Sequence, residues 1–147
     1  MPRQPGTEEK TGFMTPKILV ADDQLHMLRL VRHELEQDGY QVFQARDGHE
    51  VIETALRESP DLLILDVVMP NMDGLTALRR LKKEEATRWI PAIVLTSSAH
   101  ESMRREAEVS GADLILTKPF SPTLLRQEIR RRLSRGRRAG PPSDECP

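Results

Sequence analysis

Short, unbroken apolar runs alternate along this chain with longer stretches in which apolar residues recur every three or four positions. The runs are Ile18-Leu19-Val20-Ala21, Leu62-Leu63-Ile64-Leu65, Ala92-Ile93-Val94-Leu95 and Leu114-Ile115-Leu116. Runs of about four without a polar break predict strands covered on both faces, the habit of parallel sheets. Gln41-Val42-Phe43-Gln44-Ala45 alternates instead and predicts a fifth, shorter strand. Between the strands, Leu25, Leu28, Val31 and Leu35 recur at helical spacing, with Gly39 placed to stop that helix. Val51, Ile52, Ala55 and Leu56 predict a second helix ending before Ser59-Pro60. Leu75, Leu78 and Leu81 predict a third, and Met103, Ala107 and Ser110 a narrow stripe on a fourth. Leu125, Ile129 and Leu133 predict a fifth, with Pro122 in its first turn.

Strand and helix thus alternate five times. Right-handed crossovers convert that order into an α/β, doubly wound parallel sheet with helices on both faces. In such open sheets ligands bind outside the carboxyl ends of the strands. Asp22 and Asp23, Asp66 and Thr96 each directly follow an apolar run, and Lys118 stands shortly after the last one. The topology therefore brings acidic groups, a hydroxyl and an ammonium to one edge of the sheet. That combination suits a divalent cation beside a phosphoryl group.

The chain has 147 residues, enough for one substantial core. It is 31% charged with a formal net charge of -1, so overall charge points neither to nucleic acid nor to an anionic membrane. No apolar stretch has the length of a membrane span, and the polar N-terminal segment lacks the apolar region of a secretory signal. The single cysteine, Cys146, has no partner within the chain, which agrees with a reducing, cytoplasmic setting. Residues 1–14 carry Pro2, Pro5, Gly6 and Gly12 and are expected to form a disordered extension. The folded unit is expected over residues 15–134, followed by a disordered, basic and proline-rich tail over 135–147.

Four strings together resemble the receiver domain of two-component response regulators, over about residues 17–133. They are Lys17-Ile18-Leu19-Val20-Ala21-Asp22-Asp23, Leu65-Asp66-Val67-Val68-Met69-Pro70-Asn71-Met72-Asp73-Gly74, Ile93-Val94-Leu95-Thr96-Ser97 and Gly111-Ala112-Asp113-Leu114-Ile115-Leu116-Thr117-Lys118-Pro119-Phe120. The resemblance implies a flavodoxin-like, CheY-like (βα)5 sandwich. It also implies that Asp66 is the phosphoryl acceptor, since a carboxylate can attack phosphorus to give an acyl phosphate. Asp23 is then a direct ligand of Mg²⁺, Asp22 acts mainly through water, and Asp66 and the backbone carbonyl of Val68 complete the oxygen set. Lys118 pairs with phosphoryl oxygens as a point charge, and a cis peptide is expected before Pro119. Thr96 donates its hydroxyl to the phosphoryl group, while the small Ser97 leaves access. Gly74 is expected to permit the turn into the third helix, with Met69-Pro70 shaping the loop. Val68 and Ser98 flank the path of the hydrolytic water, and neither is suited to orient it. Where relatives carry an aromatic residue three before the lysine, this chain has Ile115.

Each of these residues also has an ordinary explanation, because strand-end aspartates cap helices and Lys-Pro is a common loop pair. Only their joint occurrence, in order, is specific. His26, His33, His49 and His100 show no metal-type pairing, and no glycine-rich nucleotide loop or Gly-x-Ser-x-Gly elbow occurs. The arginines in residues 126–138 form a basic patch that a solvated helix end explains better than nucleic-acid binding.

The expected function is a single-domain response regulator. It takes a phosphoryl group from a histidine kinase or histidine phosphotransfer protein and switches a target-binding face made by the fourth helix, last strand and fifth helix. It would work as a monomer or a phosphorylation-dependent dimer, with no membrane partner, and would be no enzyme beyond its own phosphoryl chemistry. The competing reading is a receiver-shaped interaction module indifferent to phosphate. A DNA-binding regulator is disfavoured by the terminal Pro-Pro-Ser-Asp-Glu-Cys-Pro, which reads as a tail.

Overall fold

The computed structural model describes residues 15–139. Five strands, β1 (Lys17–Ala21), β2 (Gln41–Ala45), β3 (Leu62–Asp66), β4 (Ala92–Thr96) and β5 (Leu114–Thr117), alternate with five helices. The helices are α1 (Leu25–Gln37), α2 (Gly48–Glu58), α3 (Gly74–Lys83), α4 (Glu101–Ser110) and α5 (Pro122–Ala139). All strand pairs are parallel and the sheet order is β2-β1-β3-β4-β5. This is the doubly wound (βα)5 sandwich that the hydrophobic pattern predicts.

The continuous apolar runs conceal a strict alternation. Ile18, Val20, Leu62, Ile64, Ile93 and Leu95 pack with Leu28, Val31 and Leu35 of α1 and Leu125, Ile129 and Leu133 of α5. Leu19, Ala21, Leu63, Leu65, Ala92 and Val94 face the other way, against α2, α3 and α4. Successive side chains on a strand point to opposite faces, and here each face has its own helical layer. Each fully buried leucine or isoleucine contributes about 1.5–3 kcal/mol relative to exposure, so the layers reinforce one register. The strand order reverses direction between β1 and β3, which opens a crevice at their carboxyl ends.

Three sequence expectations change. Leu25 and Leu56 stand on the predicted apolar stripes but are exposed. Each lies in a terminal turn of its helix, where cover by the sheet ends. α5 continues through Ala139, past Ser134 where the folded unit was expected to stop. Its arginines are good helix formers, and the sequence holds no proline after Pro122 until Pro141. The expected N-terminal extension and the remainder of the tail, residues 140–147, lie outside the described residues. No helix of the described residues is long and apolar enough to cross a membrane.

Candidate phosphoryl and cation site

Asp66 is the last residue of β3 and only 7% exposed, because flanking strands and the start of α3 close around it. The next residue is locked in place: Val67 N–H donates to the Leu95 carbonyl at 3.0 Å, and its own carbonyl accepts Gly74 N–H at 2.9 Å. Gly74 does not serve a left-handed turn, since its φ is not positive. Asp73 caps α3 by accepting Thr76 N–H, and Gly74 is needed because a Cβ there would lie 2.1 Å from the Asp66 carbonyl oxygen. The glycine lets the helix approach the backbone of Asp66 closely.

Asp22 and Asp23 continue β1 into the crevice. Carboxylate oxygens of Asp22, Asp23 and Asp66 all lie within 4.8 Å of one another. Asp22 is buried and fully engaged: Oδ1 accepts Gln24 N–H at 2.9 Å and Oδ2 accepts the Lys118 ammonium at 3.0 Å. Asp23 is exposed, and no hydrogen bond or ion pair holds its carboxylate among the described residues. Asp66 gives Oδ1 to Lys118 at 2.8 Å. Three clustered carboxylates, one with both oxygens committed and one free, form a hard oxygen set of the kind Mg²⁺ takes.

Lys118 follows β5, and its backbone N–H donates to the Thr96 carbonyl at 2.8 Å. The peptide to Pro119 is cis, as expected. Burial alone would lower the Lys118 ammonium, but hydrogen bonds and attraction from Asp66 and Asp22 hold it above its usual range. Asp66 is itself pushed above the ordinary carboxylate range by burial. Asp22 and Asp23 push it the same way, and Lys118 opposes them. A cation at the acidic mouth relieves the same repulsion that raises Asp66.

Thr96 ends β4 and is buried beside this group, yet its hydroxyl is not bonded to Asp66. Its Oγ1 accepts Ser98 N–H at 3.0 Å, and Ser98 Oγ in turn accepts His100 N–H at 3.3 Å. His100 immediately precedes α4. Val68 is 69% exposed on the loop after Asp66. Ile115 lies opposite Val94 in the β4–β5 ladder and packs half-buried against the core layer on the α4 side.

The structure also brings up residues that sequence reasoning missed. Asp47 and Gly48, at the start of α2, grip the loop that carries Val68. Their signal in the sequence was no stronger than an aspartate capping a helix. Among the described side chains of α5 the arginines are paired: Arg126 makes a two-pronged contact with Asp38 and a third with Glu34, both on the α1 side. Arg131 and Arg132 meet Glu128, and Arg130 reaches Asp38. The Arg126 hydrogen bonds hold the Asp38 carboxyl below its usual range. No histidine joins the acidic cluster among the described residues.

Comparison with known proteins agrees with this geometry. The alkaline phosphatase synthesis transcriptional regulatory protein PhoP of Bacillus subtilis is 36% identical over 131 residues. That match covers 89% of this chain but 54% of PhoP. The response regulator PleD of Caulobacter vibrioides is 38% identical over 117 residues, covering 80% of this chain and 26% of PleD. The chain therefore spans about half, or less, of these relatives. Among solved structures, a CheY-like response regulator receiver domain protein from Methanospirillum hungatei superposes with a TM-score of 0.81 at 26% identity. It covers 86% of this chain and all (100%) of that one. The receiver domain of the sensor histidine kinase PA1611 from Pseudomonas aeruginosa was solved with a magnesium ion coordinated in its active-site cleft. It matches with a TM-score of 0.77 and 27% identity, covering 82% of this chain and 99% of that one. The description "Response regulator receiver domain" fits residues 18–130, most of the folded chain. With acidic groups, lysine and threonine gathered at one sheet edge and this family match over the same residues, the chain belongs to the response regulator receiver domains.

Proposed function

We propose that this chain is a single-domain response regulator that accepts a phosphoryl group on Asp66 from a histidine kinase or histidine phosphotransfer protein. The observation that carries the reading is the ion-paired Asp66 carboxylate, 2.8 Å from Lys118 and within 4.8 Å of Asp22 and Asp23 oxygens. In the transfer, a carboxylate oxygen of Asp66 attacks phosphorus and the phosphorus–nitrogen bond of the donor phosphohistidine breaks. The released imidazole nitrogen keeps the electron pair and takes a proton from water. Lys118, already charged and pointed at Asp66, neutralises the incoming phosphoryl oxygens. Asp23 and Asp66 would hold Mg²⁺ directly, with the Val68 carbonyl, while Asp22 would act mainly through water. When bound, the cation supplies charge neutralisation at the transferring phosphoryl group.

The switch follows from the bonds of Thr96. Once its hydroxyl donates to a phosphoryl oxygen, the Ser98 and His100 backbone linked to it moves too, and with it the start of α4. The signalling surface is therefore α4, β5 and α5, and a downstream target protein binds there. Ile115 gives this chain no ring to turn inward, so Thr96 and its loop carry the coupling. A phosphodonor made from ATP fits a cytoplasmic setting, and the chain acts as a switch, with only its own phosphoryl transfer and loss as chemistry. It works as a monomer or as a dimer formed on phosphorylation.

Intact-mass spectrometry after acetyl phosphate treatment tests this reading. One added phosphoryl group that requires Mg²⁺ is expected. Equal mass with and without Mg²⁺ and donor would refute it.

A further inference from the structure

We infer that the Asp47–Asn71 hydrogen bond is a positioning device for the cation site, acting through the loop that carries Val68. The inference rests on the proposal that the Val68 carbonyl is a Mg²⁺ ligand. Neither Asp47 nor Asn71 belongs to the acidic cluster.

The loop over residues 67–73 has to present a backbone oxygen to an ion that demands near-ideal octahedral geometry. At Val68 itself little holds it, since that side chain is largely exposed. Met69 and Met72 anchor it by burial, and the long-range hydrogen bonds to its middle come from the start of α2. Asn71 Nδ2 donates to Asp47 Oδ2 at 2.9 Å, and Gly48 N–H donates to the Met72 carbonyl at 2.8 Å. The approach is tight, because a Cβ on Gly48 would fall 2.6 Å from Met72 Cγ and 2.7 Å from its carbonyl oxygen.

Asn71 also has φ +68°, in the left-handed region where asparagine and glycine are the least strained residues. Its one side chain thus fixes the loop's bend and ties it to a rigid helix end. Asp47 divides its carboxylate between two duties. Oδ1 caps α2 by accepting Glu50 N–H at 2.9 Å, and Oδ2 takes Asn71. That bond is the main reason the Asp47 carboxyl is held below its usual range. An exposed hydrogen bond of this kind contributes little to global stability. Partners beyond the ligands can nonetheless change metal affinity about 10–100-fold by orienting them.

The two duties of Asp47 permit a clean test in the full-length protein. Asn71→Gly keeps the left-handed backbone and removes the bond. Asp47→Ser keeps a good helix cap and also removes it. Asp47→Asn preserves a bond to Asn71, whose amide can reverse to accept, while deleting the charge. Mg²⁺ affinity is measured by calorimetry, and stability by urea unfolding in EDTA. Asn71→Gly and Asp47→Ser should each weaken Mg²⁺ binding about tenfold. The double variant should be no weaker than either single one, because both remove one shared bond. Asp47→Asn should bind like the parent, and the urea midpoints in EDTA should stay close together.

Unchanged affinity in the single variants, additive losses, or losses that follow the urea midpoints would overturn the inference. So would an Asp47→Asn variant as weak as Asp47→Ser. A parent protein that takes up no Mg²⁺, or an Asp23→Ala variant of full affinity, would instead overturn the cation site and this inference with it.

Discussion

Gly74→Ala is the sharpest structural perturbation available near the site. The added Cβ would sit 2.1 Å from the Asp66 carbonyl oxygen, where real Cβ contacts essentially never fall below 3.0 Å. The helix start and the strand end must therefore part by at least 3.0 − 2.1 = 0.9 Å. Both sides are backbone, and the Gly74 N–H to Val67 carbonyl bond of 2.9 Å spans the same gap. No flexible side chain can absorb the shift. Overpacking of this kind costs about 1–3 kcal/mol. Alanine's better helix propensity returns at most about 1 kcal/mol, and less at a first helical position. A net loss of about 1–2 kcal/mol, with a urea slope of about 2 kcal/mol per M, lowers the urea midpoint by about 0.5–1 M. The chemistry should suffer more than the fold. A displacement of about 1 Å at a reacting group can cost about 100-fold in rate, and here the residue displaced is Asp66. Urea unfolding in EDTA measures the first effect, and initial rates of acetyl phosphate acceptance with Mg²⁺ measure the second. A Gly74→Ala protein with parental midpoint and parental rate would refute the close-approach account of this glycine.

Burial and the neighbouring carboxylates raise Asp66, so its native form binds a proton more readily than the unfolded chain does. Stability from this group is therefore fully present below the ordinary carboxylate value of 3.8 and is lost as pH rises through the raised native value. Asp66→Asn should be more stable than the parent in EDTA at neutral pH, and the gain should vanish as pH falls below 3.8 on urea titration. A gain independent of pH would contradict that origin. Arg126→Ala should lower the urea midpoint by breaking the contacts to Asp38 and Glu34, and added salt should shrink the deficit. Val68→Asn should speed loss of the phosphoryl group after donor removal, because an amide can orient the in-line water and valine cannot. Decay no faster than the parent's would place control of the lifetime elsewhere.

The sheet was legible in the sequence because strands covered on both faces leave runs such as Leu62-Leu63-Ile64-Leu65, which are hard to mistake. The same continuity hid which residues meet α1 and α5 and which meet α2, α3 and α4, since every position is apolar. Helical spacing located α1 and α2 but over-read Leu25 and Leu56, because periodicity carries no information on where a sheet stops covering a helix. The carboxylates, Thr96 and Lys118 were readable because topology alone sends strand ends to one edge. Gly74 reads in the sequence only as a glycine at the turn into α3. Its role depends on the distance between two backbones, which no local signal encodes. Asp47 and Asn71 were invisible for a similar reason, being 24 residues apart and joined only through the fold. Lys118 shows the limit from the other side, since its partner Asp22 is 96 residues distant, yet the strand order brings them together.

The proposed phosphoryl group on Asp66 can be located by chemical trapping. Acyl phosphates are mixed anhydrides that borohydride reduces, turning an aspartyl residue into homoserine. The protein is treated with acetyl phosphate and Mg²⁺, reduced, digested, and mapped by peptide mass spectrometry. Homoserine is expected at position 66, none at 22 or 23, and none anywhere when Mg²⁺ is omitted. Homoserine at Asp22 or Asp23, or no Mg²⁺-dependent homoserine at all, would contradict the proposal.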